Sequence, residues 1–165
     1  MSLAIEPVID APGWSVDFDP EALAHTSIEA AARNRSGVAD QGPEVCVIFT
    51  SDGKMRELNR DWRKIDKATN VLSFPAIQPP KGAPPMGLGD IFLGLETVQR
   101  EAAEQGKSFH DHTAHLIVHG FLHLIGYDHE TDSEAADMEG EETVILATLG
   151  IANPYDGEWR PENAG

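Results

Sequence analysis

Cysteine is nearly missing from this 165-residue chain, with Cys46 standing alone. One cysteine excludes an internal disulfide, and its place in the apolar run "VCVIF" reads as a small core residue rather than a reactive thiol. Long apolar runs are also missing. No stretch approaches the ~20 residues that a membrane-spanning helix needs. The opening "MSLAIEPVID" lacks the basic start and apolar run of an export signal. These absences predict a cytoplasmic protein. Cationic residues are scarce: 12 Lys and Arg against 28 Asp and Glu leave a net charge of −16. So acidic a chain has no general affinity for nucleic acid, whose phosphates attract basic surfaces. The apolar content of 41% suffices for one core in a chain of this length. We expect one domain over residues 1–151 and a flexible polar tail over 152–165, with no internal repeat.

The chain alternates strand-like and helix-like stretches. Strands are expected at 3–9, 44–50, 70–74 and 90–95, the second being a continuous apolar run that suits a central strand. A helix starts at Pro20 with Asp19 as its N-cap. Others follow over "KMRELNRDWRK", "ETVQREAAEQG", "SFHDHTAHLIVHGFLHLIG" and "TDSEAADMEGEETVILATLG". In the last of these Met138, Glu142, Ile145 and Leu149 form one stripe. Residues 76–89 hold four prolines and three glycines and predict a long irregular loop. The fold class is α+β: a small mixed sheet packed with helices.

Between Ala114 and Ile125 apolar residues cover most of the helix circumference, which predicts a buried helix. Along one edge run His112, His115, His119 and His123. Residues i and i+4 lie one above the other, so His119 and His123 can share one metal ion. His115 and His123 stand roughly 12 Å apart along the axis at 1.5 Å per residue, too far for a shared ion. Gly126 supplies a chain reversal, and His129 follows it. His119, His123 and His129 thus form three corners of a tetrahedron whose open fourth position marks a catalytic zinc site rather than a structural one.

The spacing is that of the metzincin proteases, H-E-x-x-H-x-x-G-x-x-H, and gives the helix a zincin-like character. Gly120 replaces the glutamate that serves those enzymes as general base, which argues against peptide hydrolysis. Two compatible readings of Gly120 stand: close packing on a neighbouring strand, or an open metal face that admits a bulky substrate group. Met138 reads as core despite the methionine that metzincins carry beneath their metal. His112 and His115 read as neighbours of the site and not as ligands, and His25 and His110 as exposed.

"HGFLHLIGYDH" fits throughout the motif H-G-x-L-H-L-x-G-Y-D-H of the bacterial YbeY endoribonucleases, a family of ribosomal RNA maturation factors that this chain resembles. "LNRDWRKIDKATNVLSFP" and "LGDIFLG" match two further blocks, and the resemblance runs over residues 44–150. Departures are Trp62 for tyrosine, Lys64 for glycine, Ala68 for proline and Asn70 where aspartate is frequent. The resemblance implies a single-strand-specific endoribonuclease acting on the 3′ end of small-subunit ribosomal RNA and in ribosome quality control. Ribosomal proteins or an assembly GTPase would be its partners. It also places Arg63 in the active cleft as a catalytic residue.

Residues 54–67 hold six of the twelve Lys and Arg against three acids, a local net charge of +3. Arg60, Lys64 and Lys67 are accordingly candidate RNA contacts, with a solvated helix face as the plainer reading. Residues 130–142 carry seven acids and no Lys or Arg. The residues alone imply a hydrolytic metal site. They leave open the general base, the attacking nucleophile, and two alternatives: a zincin-like peptidase, or a non-catalytic assembly factor whose zinc is closed by a protein ligand such as Asp128.

Overall fold

In the computed structural model, which describes residues 3–33, 44–76 and 87–155, the strands come in the order β1-β2-β4-β3. These are β1 (Ala4–Ile9), β2 (Glu44–Thr50), β3 (Val71–Pro75) and β4 (Gly89–Gly94). β1, β2 and β4 run parallel, and β3 is antiparallel to β4. The helices are α1 (Pro20–Ala32), α2 (Asp52–Arg63), α3 (Leu95–Gln105), α4 (Phe109–Leu124) and α5 (Asp132–Thr148). The expected α+β class holds, and most element bounds move by only a residue or two. β3 extends through Pro75, which an edge strand tolerates because no ladder bond needs its missing N–H. The loop expected at 76–89 falls largely outside the described residues.

Alternation along the strands assigns the two faces. Val45, Val47, Phe49, Ile91, Leu93 and Val71 are fully buried and face a core shared with α1 and α4. Cys46, Phe92 and Phe74 point the other way, toward Leu58 and Trp62 of α2. Cys46 is therefore not a core residue: it is half-buried on the α2 side. Burial, with the nearby Asp90 and Glu44 carboxylates, pushes its thiol up to about 11, so it stays protonated and unreactive at neutral pH.

Two devices hold the site-bearing helices in place. The N-termini of α2 and α3 cap each other: Asp52 accepts from the Thr97 backbone N–H at 3.0 Å and its hydroxyl at 2.8 Å, while Glu96 accepts from the Asp52 N–H at 3.0 Å. A 3-10 turn (Pro12–Ser15) buries Trp14, whose Nε1 donates to the Thr50 carbonyl at 2.8 Å. The Trp14 ring also stacks on Phe109 at 5.1 Å, tying the start of α4 to the end of β2.

α4 is the central helix. Every residue from His112 to Leu122 is buried. It crosses β3 and β4 at Gly120, where a Cβ would lie 2.9 Å from Ile91 Cγ2 and 3.0 Å from Ser73 Oγ. Ser73 Oγ also donates to the Gly120 carbonyl at 3.0 Å. Close packing on the sheet is thus the reading of this glycine that the structure bears out.

Residues 156–165 of the expected tail lie outside the described residues. Residues 152–155 are held to the body: Lys107 Nζ donates to the Pro154 carbonyl at 2.7 Å, and the Tyr155 hydroxyl donates to Glu142. Polar composition concealed these anchors, because both act through groups distant in sequence.

Two substitutions test the backbone argument. Gly120→Ala gains about 1 kcal/mol of helix propensity but forces a methyl into fully buried Ile91, an overpacking cost of about 1–3 kcal/mol. A net loss of about 1 kcal/mol is expected in urea unfolding, and a gain would show slack between α4 and the sheet. Lys64 closes α2 in the left-handed conformation, at φ 63°, which costs a residue with a Cβ about 1 kcal/mol. Lys64→Gly is expected to stabilise by up to that amount, and destabilisation would show that the side chain supplies more than the strain removes.

Candidate metal and phosphate site

Helix α4 presents His119 and His123 on one edge, and the chain brings His129 back beside them. The reversal occurs at Gly126, at φ 108°, where the Gly126 N–H bonds to the His123 carbonyl and the Tyr127 N–H to the Leu122 carbonyl. A left-handed closing residue of this kind favours glycine. One nitrogen of each of the three imidazoles lies within 4.8 Å of the other two. The Nε2 atoms of His119 and His123 stand 3.1 Å apart. Two nitrogens on one tetrahedral ion at ~2.0–2.1 Å would stand about 3.3–3.4 Å apart, so this edge of the triad fits a metal. Among the described residues no fourth carboxylate, thiolate or imidazole joins the group. Asp128 instead accepts the His129 backbone N–H at 2.8 Å.

Protonation favours metal binding. Burial lowers the pKa of His119 and of His115. Burial, then the neighbouring His119 and His129, lowers His123 to about 4. His119 and His123 are therefore neutral at pH 7, the state in which imidazole binds a metal. Behind His119 sits fully buried Glu142 of α5, whose Oε1 accepts from His119 Nδ1 at 2.6 Å and from His115 Nε2 at 3.3 Å. Burial alone would push the Glu142 carboxyl up. The hydrogen bonds from His115 and His119 outweigh it and hold the group well below the usual carboxylate range. With Nδ1 engaged, His119 has Nε2 left for a metal, an arrangement that recurs behind metal-binding histidines.

His112 belongs to a separate buried network, its Nε2 bonding to Glu101 at 2.9 Å while Asn70 donates to the same carboxylate at 3.0 Å. Met138 is packed in the core. His25 and His110 are exposed.

A cleft of about 500 Å³ opens beside the triad, lined by His123, His129, Asp128, Glu130, Ser73 and Arg63 among others. Arg63, in the last turn of α2, lies with its Cζ 5.9 Å from the centre of the Phe74 ring, within cation–π range. Its Nη2 is 3.5 Å from the Ser73 carbonyl. The other basic candidates do not line this cleft. Arg60 pairs with Asp61 at 3.2 Å, Lys64 Nζ reaches the Asp61 carbonyl at 3.4 Å, and Lys67 is exposed. Arg56 is taken up by Asp66 at 2.7 Å.

A family model described as "Endoribonuclease YbeY" matches residues 14–150. The chain belongs to the YbeY endoribonuclease family. Relatives that carry the same description include one from Rhodopseudomonas palustris, 51% identical over 94% of this chain and 82% of its own. Another, from Agrobacterium fabrum, is 48% identical over 95% and 97% respectively. The solution structure of TM1509 from Thermotoga maritima superposes with a TM-score of 0.58 at 25% identity, covering 97% of this chain and 94% of that one. The YbeY resemblance read from "HGFLHLIGYDH" is thereby confirmed.

Gly120 also separates the site from a peptidase. The position that carries the proteases' glutamate is closed by the Ile91 and Ser73 side chains, which a side chain at 120 would have to displace. Metal content should follow the ligand set. His119→Ala, His123→Ala or His129→Ala are each expected to lose the bound metal by elemental analysis, while Arg63→Ala keeps it. Metal loss in Arg63→Ala would make that arginine structural.

Proposed function

We propose that this chain is a zinc-dependent endoribonuclease that cuts single-stranded RNA and matures the 3′ end of small-subunit ribosomal RNA. The observation that carries this reading is the meeting of Arg63 with His123 and His129 on the walls of one cleft. Family membership supports the reaction class. Three imidazoles with an open side suit a catalytic zinc, although imidazole also accepts copper, iron and nickel. When bound, zinc would supply Lewis-acid polarisation of a phosphoryl oxygen and lower the pKa of water toward 7.

The remaining contributions come from the chain itself. His119, His123 and His129 would hold the metal near the C-terminal end of α4, where helix carbonyls leave partial negative charge that favours a cation. Arg63 lines the same cleft. Its guanidinium donates paired hydrogen bonds to phosphate oxygens and offsets the charge that develops on them. The guanidinium also lies 5.9 Å from the centre of the Phe74 ring. Position 120 itself offers no general base.

The surface charge sets a further condition. A body at −16 repels RNA at long range, so the substrate must be presented at the basic end of α2. The ribosome, with its small-subunit proteins or an assembly GTPase, would do this in the cytoplasm. No helix among the described residues is long and apolar enough to cross a membrane.

Cleavage of a labelled single-stranded RNA tests the reading. Wild-type protein is expected to cut, and chelation or His119→Ala to abolish cutting. Arg63→Ala should lower turnover on the order of 100-fold with metal retained. Equal cutting by wild type and His119→Ala would assign the activity to a contaminant and sink the proposal.

A further inference from the structure

The carboxylate of Glu142 has no place in the cleft, yet it is fully buried and uses both oxygens. Oε1 serves His119 and His115, and Oε2 accepts the hydroxyl of Tyr155. Tyr155 lies seven residues beyond the end of α5. We infer that Glu142 and Tyr155 form a clasp that fixes the tautomer of His119, making the segment after α5 a positioning element of the metal centre. This inference rests on the metal site proposed above.

Hydrogen-bond directions define the clasp. Tyr155 donates to Glu142 Oε2, so its oxygen is left to accept from His115 Nε2 at 3.2 Å. His115 and Tyr155 thus both turn donors toward the carboxylate, whose remaining lone pairs face His119 Nδ1. The assignment that satisfies every contact puts the proton on Nδ1 of His119 and directs its Nε2 lone pair at the triad. An anion behind an imidazole also raises its basicity as a ligand.

The segment is built to keep Tyr155 in place. The Ile151 N–H bonds to the Leu146 carbonyl at 3.0 Å, and Ile151 packs in the core. Asn153 Oδ1 accepts the Tyr155 N–H at 2.9 Å, and Lys107 Nζ donates to the Pro154 carbonyl at 2.7 Å. Neither Glu142 nor Tyr155 lines the cleft. Both act through His119, which makes them positioning residues.

The test uses the full chain as wild type, Tyr155→Phe, Glu142→Gln and His119→Ala, stripped of metal. Zinc affinity is measured by competition with a chromophoric chelator, and the d–d absorption of the cobalt(II)-loaded proteins is recorded. Loss of a partner behind a metal-binding histidine costs about 10–100-fold in affinity. Tyr155→Phe is expected at the low end of that range and Glu142→Gln at the high end. Both should shift the cobalt bands, and Tyr155→Phe should leave the melting temperature of the metal-free protein near wild type. Unchanged affinity and unshifted bands in both variants, with binding still abolished in His119→Ala, would overturn the clasp and leave the metal site standing. Wild-type zinc affinity in His119→Ala would overturn the metal site, and the clasp with it. Should Tyr155→Phe fail to fold, Lys107→Met releases the segment at Pro154 alone. Weaker zinc binding in that variant supports the clasp, and unchanged binding overturns it.

Discussion

Burial of α4 is the constraint on which the rest of the structure depends. A helix enclosed from His112 to Leu122 cannot leave its polar groups to water. Each histidine it carries must meet a partner inside the protein, and those partners come from elements far apart in the chain. Glu101 of α3 meets His112, Glu142 of α5 meets His115 and His119, and Ser73 of β3 meets the Gly120 carbonyl. The same packing that forms the core therefore aims the imidazoles. A site on a packed helix is held more closely than one on loops, so two of the three proposed ligands are rigid. His129, exposed beyond the Gly126 turn, is the member with room to adjust.

Charge is arranged at two scales. Acids dominate the chain, and some lie at the site itself: Glu142 behind His119, and Asp128 and Glu130 on the cleft wall. Such a field draws a divalent cation and repels an isolated phosphate. Arg63 supplies the opposite sign within the cleft, on a helix where Arg56 and Arg60 pair with Asp66 and Asp61. These ion pairs offset the charge of Arg56 and Arg60 and leave that of Arg63 facing the cleft. Surface pairs of this kind add little stability, so their main effect is on where positive potential remains.

The triad was legible because it follows local rules: an i, i+4 pair, a glycine turn and one further histidine. So were most of the helices and strands, which depend on periodicity and caps. Glu142 and Tyr155 were not, since their roles depend on contacts across 23 and 40 residues with His119 and His115. A signal for Glu142 was nevertheless present. It stands on the same stripe of α5 as Met138 and Ile145, both buried, and a carboxylate on an apolar stripe must find a donor or be expelled. Trp14 had no comparable signal, because nothing near it shows that Thr50 and Phe109 would enclose it. The basic window misled in part. Arg56, Arg60 and Arg63 share one helix face at spacings of four and three, but the helix ends at Arg63 with Lys64 in the left-handed conformation, so Lys64 and Lys67 leave that face, and Arg63 is the one that lines the cleft.

Position 120 shows how packing can decide reaction class. A metalloprotease needs a carboxylate beside its first metal ligand to take a proton from water attacking a neutral amide. Here the sheet approaches so closely that even a methyl at that position would press on Ile91. The cation lining the cleft beside the triad is a guanidinium from α2. An arginine contributes little to a neutral carbonyl but much to a phosphodiester, which is anionic at the start and gains charge on its oxygens as it reacts. In the proposed reaction, glycine at position 120 and an arginine lining the cleft act in the same direction. Together they remove the proton acceptor suited to peptides and supply the cation suited to a phosphate backbone.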